Sequence, residues 1–267
     1  MPDDFAAWAT AAAVTFDTLD DTPANVARLA PILDPLLENK RAVYLGEPDH
    51  WIHEKNAYRR LFVRHLFERG WRVFAEELSW FDGLRIDGYI QAGDETQLDR
   101  IATYGYTGAD RPDRHDRPTG LLRAGWDTYP VAEFRAEQLR FARFLRELNV
   151  ERPPGTPRLR FVAFDIDANP NVGYEHIDGM LDNARHAAAD DLRTALARIP
   201  NESMRDEVAR LDRALALIDQ QPAAPWLEEL RYAVLTLRDS YDYASVAYPA
   251  TSWDVVGAAM AMRGREG

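Results

Sequence analysis

Three short apolar runs each end in acid: "RAVYLGE" (41–47), "WRVFAEE" (71–77) and "LRFVAFDID" (159–167). Runs of that length, rich in Val, Phe and Tyr, read as buried strands. The stretches between them are far too long for hairpin turns and carry helical periodicity. Strands joined by helical crossovers pair in parallel, which predicts an α/β fold with a mainly parallel central sheet flanked by helices. The last hundred residues hold no such run and predict a helical C-terminal portion. The expected organisation is a single domain over 1–267, with an α/β core (1–170) and a mostly helical part (171–267).

The helices can be placed from their spacing. Residues 3–18 and 23–39 read as helices, the second with Val26, Leu29, Ile32, Leu33, Leu36 and Leu37 on one face. Pro31 and Pro35 predict a kink or break in it. Residues 53–69 form a helix closed by Gly70, and residues 80–92 a shorter one closed by Gly93. Residues 93–128 are polar, contain "GADRPDRHDRPTG" and read as a long exposed loop. A strong helix follows over 130–148. Beyond the third run, helices are expected at "GMLDNARHAAADDLRTALARI", "MRDEVARLDRALALID", "WLEELRYAVLTLRDSYDYASVA" and "SWDVVGAAMAMR".

Composition narrows the function classes. The net charge is −12 and the basic residues are scattered, which argues against nucleic acid as a partner. There is no cysteine, which removes a thiol nucleophile, a disulfide framework and thiolate metal ligands. The chain starts "MPDDF", acidic where a secretory signal needs positive charge, and no apolar run approaches ~20 residues. The expectation is a cytoplasmic protein without a membrane partner. The oligomeric state is not readable.

In parallel sheets, sites form beyond the carboxyl ends of the strands. The first run delivers Glu47 there, with His50 three residues on. The second delivers Glu76 and Glu77, and the third Asp165 and Asp167. As parallel neighbours, these acids would converge on one crevice around His50. An imidazole oriented by a carboxylate can deprotonate water at neutral pH, and N–H groups opening the helix near His53 can stabilise an oxyanion. Such a site hydrolyses an ester without a covalent nucleophile. The blander reading makes Glu47 and Asp49 helix-capping acids and Asp165 and Asp167 loop caps. A third possibility is a zinc, manganese or iron site of His50 with Glu47, Glu77 or Asp165.

The stretch "LGEPDHWIHEKNAYRR" resembles the erythromycin esterase family signature, roughly GExxHGxxEFxxxR, with Gly46, Glu47, His50, Glu54 and Arg59 at matching spacings. "GWRVFAEELSW", "IDGYIQAG", "FARFLRELN" and "LRFVAFD" follow in the order of further family segments and place Glu77 and Asp165. The resemblance implies an α/β core with a helical insertion and metal-independent, cofactor-free hydrolysis of a small-molecule ester or lactone. Macrolide lactones, and hence antibiotic resistance, are the substrates named in the family. It assigns His50 as general base, Glu47 and Glu77 as orienting and polarising acids, and Glu54, Arg59 and Asp165 as supporting residues. His176, in "NVGYEHID", could reach the same crevice. The chain departs from the signature at Trp51 and Lys55. It also holds no counterpart of the family's later "waHNxH" segment, so it reads as a member lacking the C-terminal third. The alternative implied by that lack is a non-catalytic small-molecule-binding protein.

Overall fold

The computed structural model describes residues 7–8, 10–11, 13–46, 54–99, 101, 131–165, 170–184, 186, 188–199 and 202–247. They form α1 (Pro23–Leu37), α2 (Glu54–Glu68), β1 (Val73–Ser79), α3 (Trp80–Ala92), α4 (Val131–Glu151), β2 (Arg160–Asp165), α5 (Pro170–Asn183), α6 (Ala189–Leu196), α7 (Met204–Asp219) and α8 (Pro225–Ala247). The fold is α/β: a parallel strand pair among helices, with the helices dominant and the described residues of the C-terminal part forming helices and their connections, with no strand. The chain divides into two compact units, Met1–Arg72 with Arg143–Leu159, and Val73–Ala142 with Arg160–Gly267.

In unit one, Thr22 caps α1 by accepting the Asn25 N–H at 3.2 Å, and Pro23 fills the first helical position, where no donor is missed. The helix continues through Pro31 and Pro35, so of the expected kink or break the break does not occur. Both prolines are exposed, so the carbonyls they leave without an N–H partner face water. Val26 and Leu29 pack on Leu61 of α2. Arg64 ties α2 to Asp21 at 2.5 Å and to Glu151 at 2.9 Å. Asn149 pairs with Leu159 as a strand neighbour would, donating to its carbonyl at 3.0 Å and accepting from its N–H at 2.7 Å. That clasp aims the chain into β2.

The first expected strand is not formed: residues 42–46 carry no regular structure, and Tyr44 is 89% exposed. "RAVYLG" has strand composition, but a strand exists only through a ladder partner, and composition does not supply one.

Unit two contains the strand pair. Val73 to Glu76 lie opposite Arg160 to Ala163, and then Ser79 lies opposite Asp165. β1 therefore carries one extra residue between Glu76 and Ser79, a bulge at its acidic end. Phe161 and Ala163 are buried, and Phe74 stacks on Phe161 and Phe141 at 5.7 and 5.2 Å. Ser79 ends β1 and caps α3, accepting the Asp82 N–H at 3.4 Å. Gly93 ends α3 at φ 83°, a left-handed turn that costs a glycine little. α3 lies so close to β2 that a Cβ on Gly83 would sit 2.4 Å from the Ala163 Cβ. The Asp87 carboxylate fixes this seam, accepting from the Arg160 guanidinium at 2.6–3.1 Å and from the Phe161 N–H at 2.9 Å.

Helices α5 to α8 enclose an apolar core that includes Phe81, Ile177, Leu181, Leu192, Leu211, Leu230, Val234 and Leu237. One buried polar knot is built into it: Arg210 donates to Glu202 at 3.0 Å, to Tyr174 Oη at 2.7 Å and to Glu207, and Tyr174 donates to Glu207. Each charge there has a partner, as burial demands. The helix expected over 179–199 is in fact two. α5 stops at Asn183, and the Ala188 N–H is taken by His186 Nδ1 at 3.2 Å, a local bond that competes with helix continuation. The "SWDVVGAAMAMR" segment and most of the polar loop lie outside the described residues.

Candidate functional site

The carboxyl end of the strand pair holds Glu77, Ser79 and Asp165, with the N-terminus of α3 directly beyond. Glu77 sits in the bulge and is exposed, and Asp165 is exposed on the last residue of β2. The structure brings these two predicted residues to the same end of neighbouring strands. Glu76, on the alternate face, is half-buried. Asp82, in the first turn of α3, is 1% exposed and lies 4.0 Å from the Arg85 guanidinium. The sequence reading passed over Asp82; the spacing Ser79-x-x-Asp82 is a helix-capping pattern and gives the acid an ordinary explanation.

The other predicted residues are dispersed. Glu54 is exposed in the first turn of α2, where an acid suits the helix dipole. Arg59 is half-buried on the same helix and donates to Asn56 Oδ1 at 3.2 Å. Glu47, His50 and Asp167 lie outside the described residues. Among the described residues, no group of three or more His, Asp or Glu is arranged to hold a metal ion.

His176 lies on α5 in unit two, its ring 6.0 Å from Trp80 and 5.5 Å from Phe81, the two residues that open α3 after β1. Burial against these rings lowers its pKa below the ordinary histidine value; Glu229 opposes the shift, and Arg85 adds to it. Its Nε2 is buried without a hydrogen-bond partner. His176 also lines a cleft of about 630 Å³ between α5 and the start of α8, together with Glu175, Gly179, Met180, Trp226 and Glu229. His186 stands at its edge, its ring 5.4 Å from Trp226. Trp226, Glu229 and His186 all fall within segments expected to be helical and carry no motif that marks them.

A parallel strand pair with acids at its carboxyl end, followed by a large helical part, defines an α/β protein. Residues 67–263 match the erythromycin esterase family model, and the chain belongs to that family. The matched span includes Glu77, Asp165 and His176 and begins after Glu47, His50, Glu54 and Arg59. No curated protein matches the chain. Among solved structures, a Bacillus cereus protein is similar with a TM-score of 0.63 at 16% identity, over 90% of this chain and 56% of that one. A succinoglycan biosynthesis protein is similar with a TM-score of 0.58 at 15% identity, over 85% of this chain and 53% of that one. At such identities the likeness is one of fold, and the chain spans little more than half the length of these neighbours. No described helix is long and apolar enough to cross a membrane.

Proposed function

We propose that this protein is an esterase-like hydrolase that cleaves an ester or lactone of a small molecule with water deprotonated by His50. Glu47 orients the imidazole and holds its tautomer, and Glu77 polarises the reacting groups. Glu54, Arg59 and Asp165 support the site. No nucleic-acid or membrane partner and no metal or cofactor is invoked. The observation that carries the reading is membership of the erythromycin esterase family, with Glu77 standing at the carboxyl end of a parallel strand as that chemistry needs.

The balanced step is simple. His50 takes a proton from water, the resulting hydroxide adds to the ester carbonyl, and the tetrahedral intermediate expels the alkoxide. The imidazolium returns its proton to that leaving oxygen, and the products are a carboxylic acid and an alcohol.

The test is turnover by the purified chain on a panel of aryl, alkyl and macrocyclic esters. His50→Ala is expected to lower kcat by about 10²–10⁴-fold, the usual worth of a general base. Glu77→Gln is expected to lower it by a smaller factor with little change in KM. Full turnover by His50→Ala would remove His50 from the mechanism.

A further inference from the structure

The α5–α8 cleft is not accounted for by ester hydrolysis at the strand ends. Its volume, about 630 Å³, is that of a small-molecule site. Its walls are the indole of Trp226, the thioether of Met180 and the carboxylates of Glu175 and Glu229. Arg85 engages Glu175 Oε2 at 3.2 Å. Glu229 is exposed at the cleft, and among the described residues no hydrogen bond or ion pair engages it. Among the described residues, no lysine or arginine lines the space. A cation would find one open carboxylate, Glu229, and an aromatic side chain, Trp226, there.

We propose that this cleft binds a small organic cation, an amine or quaternary ammonium carried on an apolar or aromatic body. The charged head sits against Glu229 and the π face of Trp226, an arrangement in which a cation gains from both the carboxylate and the ring quadrupole. The apolar body lies along Met180 over Gly179. His176 supports the arrangement by staying uncharged: burial against Trp80 and Phe81 disfavours its protonation, so it does not cancel Glu229. Gly179 keeps the floor open, since a Cβ there would meet no atom within 4 Å. This site does not depend on the proposed hydrolysis, and its failure would leave that reading untouched.

Calorimetric titration of the full chain with benzyltrimethylammonium, beside benzyl alcohol as the uncharged comparator, tests the proposal. Saturable binding of the cation is expected, with the alcohol at least about tenfold weaker. Glu229→Gln, a conservative change on an exposed side chain, is expected to weaken the cation about tenfold. Gly179→Leu fills the floor and is expected to abolish binding while the melting temperature holds or rises. Equal affinity for the cation and the alcohol, cation affinity unchanged in both variants, or no saturable binding by the unmodified chain would overturn it.

Discussion

At the α3–β2 seam, the buried Asp87 carboxylate accepts from the Arg160 guanidinium and from the Phe161 N–H, and α3 and β2 approach to backbone contact at Gly83. At the α5–α8 cleft, among the described residues, His176 keeps a buried ring nitrogen with no partner, Glu229 has no ion-pair partner, and Gly179 faces open space. The two regions belong to one unit and use the same residue types in opposite ways. A satisfied buried acid and a filled glycine close a seam and hold the fold. An unsatisfied imidazole and an open glycine leave room that the fold does not use, and buried polar groups without partners concentrate where a protein does something besides fold.

The sharpest way to break this comparison is a pair of glycine substitutions. Gly83→Val places a branched side chain where a single Cβ already lies 2.4 Å from the Ala163 Cβ and 2.8 Å from its backbone nitrogen. The strand must move, and a loss of about 3 kcal/mol or more is expected by urea denaturation, at the upper end of overpacking costs. Gly179→Ala, in the interior of α5, meets nothing and is expected to gain about 0.5–1 kcal/mol from the better helix former. Equal effects at the two sites would erase the distinction between seam and cleft.

Asp87→Ala follows in size. It strips the Phe161 N–H of its side-chain acceptor and frees the Arg160 guanidinium. Arg160 is 62% exposed, so water rehydrates its charge and that part of the loss is small. The buried N–H is the costly part, and about 1–3 kcal/mol is expected, with Asp87→Asn milder because its carbonyl oxygen can still accept. Hydrogen exchange at the Phe161 amide gives an independent reading: protection should fall more than at the Ala163 amide.

Much of this architecture could be read along the chain, because it is set by local pattern. β1 and β2 were marked by apolar runs, α3 by its amphipathic span and closing Gly93, and α7 by a run from Met204 to Asp219 that matches its bounds. What escaped depends on partners distant in sequence or on competition between local bonds. Asp87 meets Arg160 across 73 positions, and nothing near Asp87 announces it. "RAVYLG" was strand-like in composition yet has no strand pairing in its described residues. The split between α5 and α6 turns on one His186–Ala188 bond that periodicity does not register. For the site, the acids at the ends of β1 and β2 were legible as strand termini. His176 was singled out because it follows the third apolar run; it stands against Trp80 and Phe81, just beyond β1, and also lines a cleft formed with α8, a pairing of helices that spacing alone does not fix.

The smallest expected effect is the pH dependence carried by His176. Its folded pKa lies below the unfolded value of about 6.5, because burial beside Trp80 and Phe81 outweighs the attraction of Glu229, and Arg85 pushes the same way as burial. Between the two pKa values the unfolded chain binds more protons than the folded one, so stability rises with pH across that window. The penalty is absent well above 6.5, grows as the pH falls through it, and levels off below the folded pKa. The charged groups that act on His176 are the Glu229 carboxylate and the Arg85 guanidinium. His176→Gln should therefore flatten the stability profile of the protein between pH 7.5 and 5 without changing the costs at Gly83 or Asp87. A profile equally steep in His176→Gln would assign the pH dependence to other groups, and the imidazole would then be as settled in its cleft as Asp87 is in its seam.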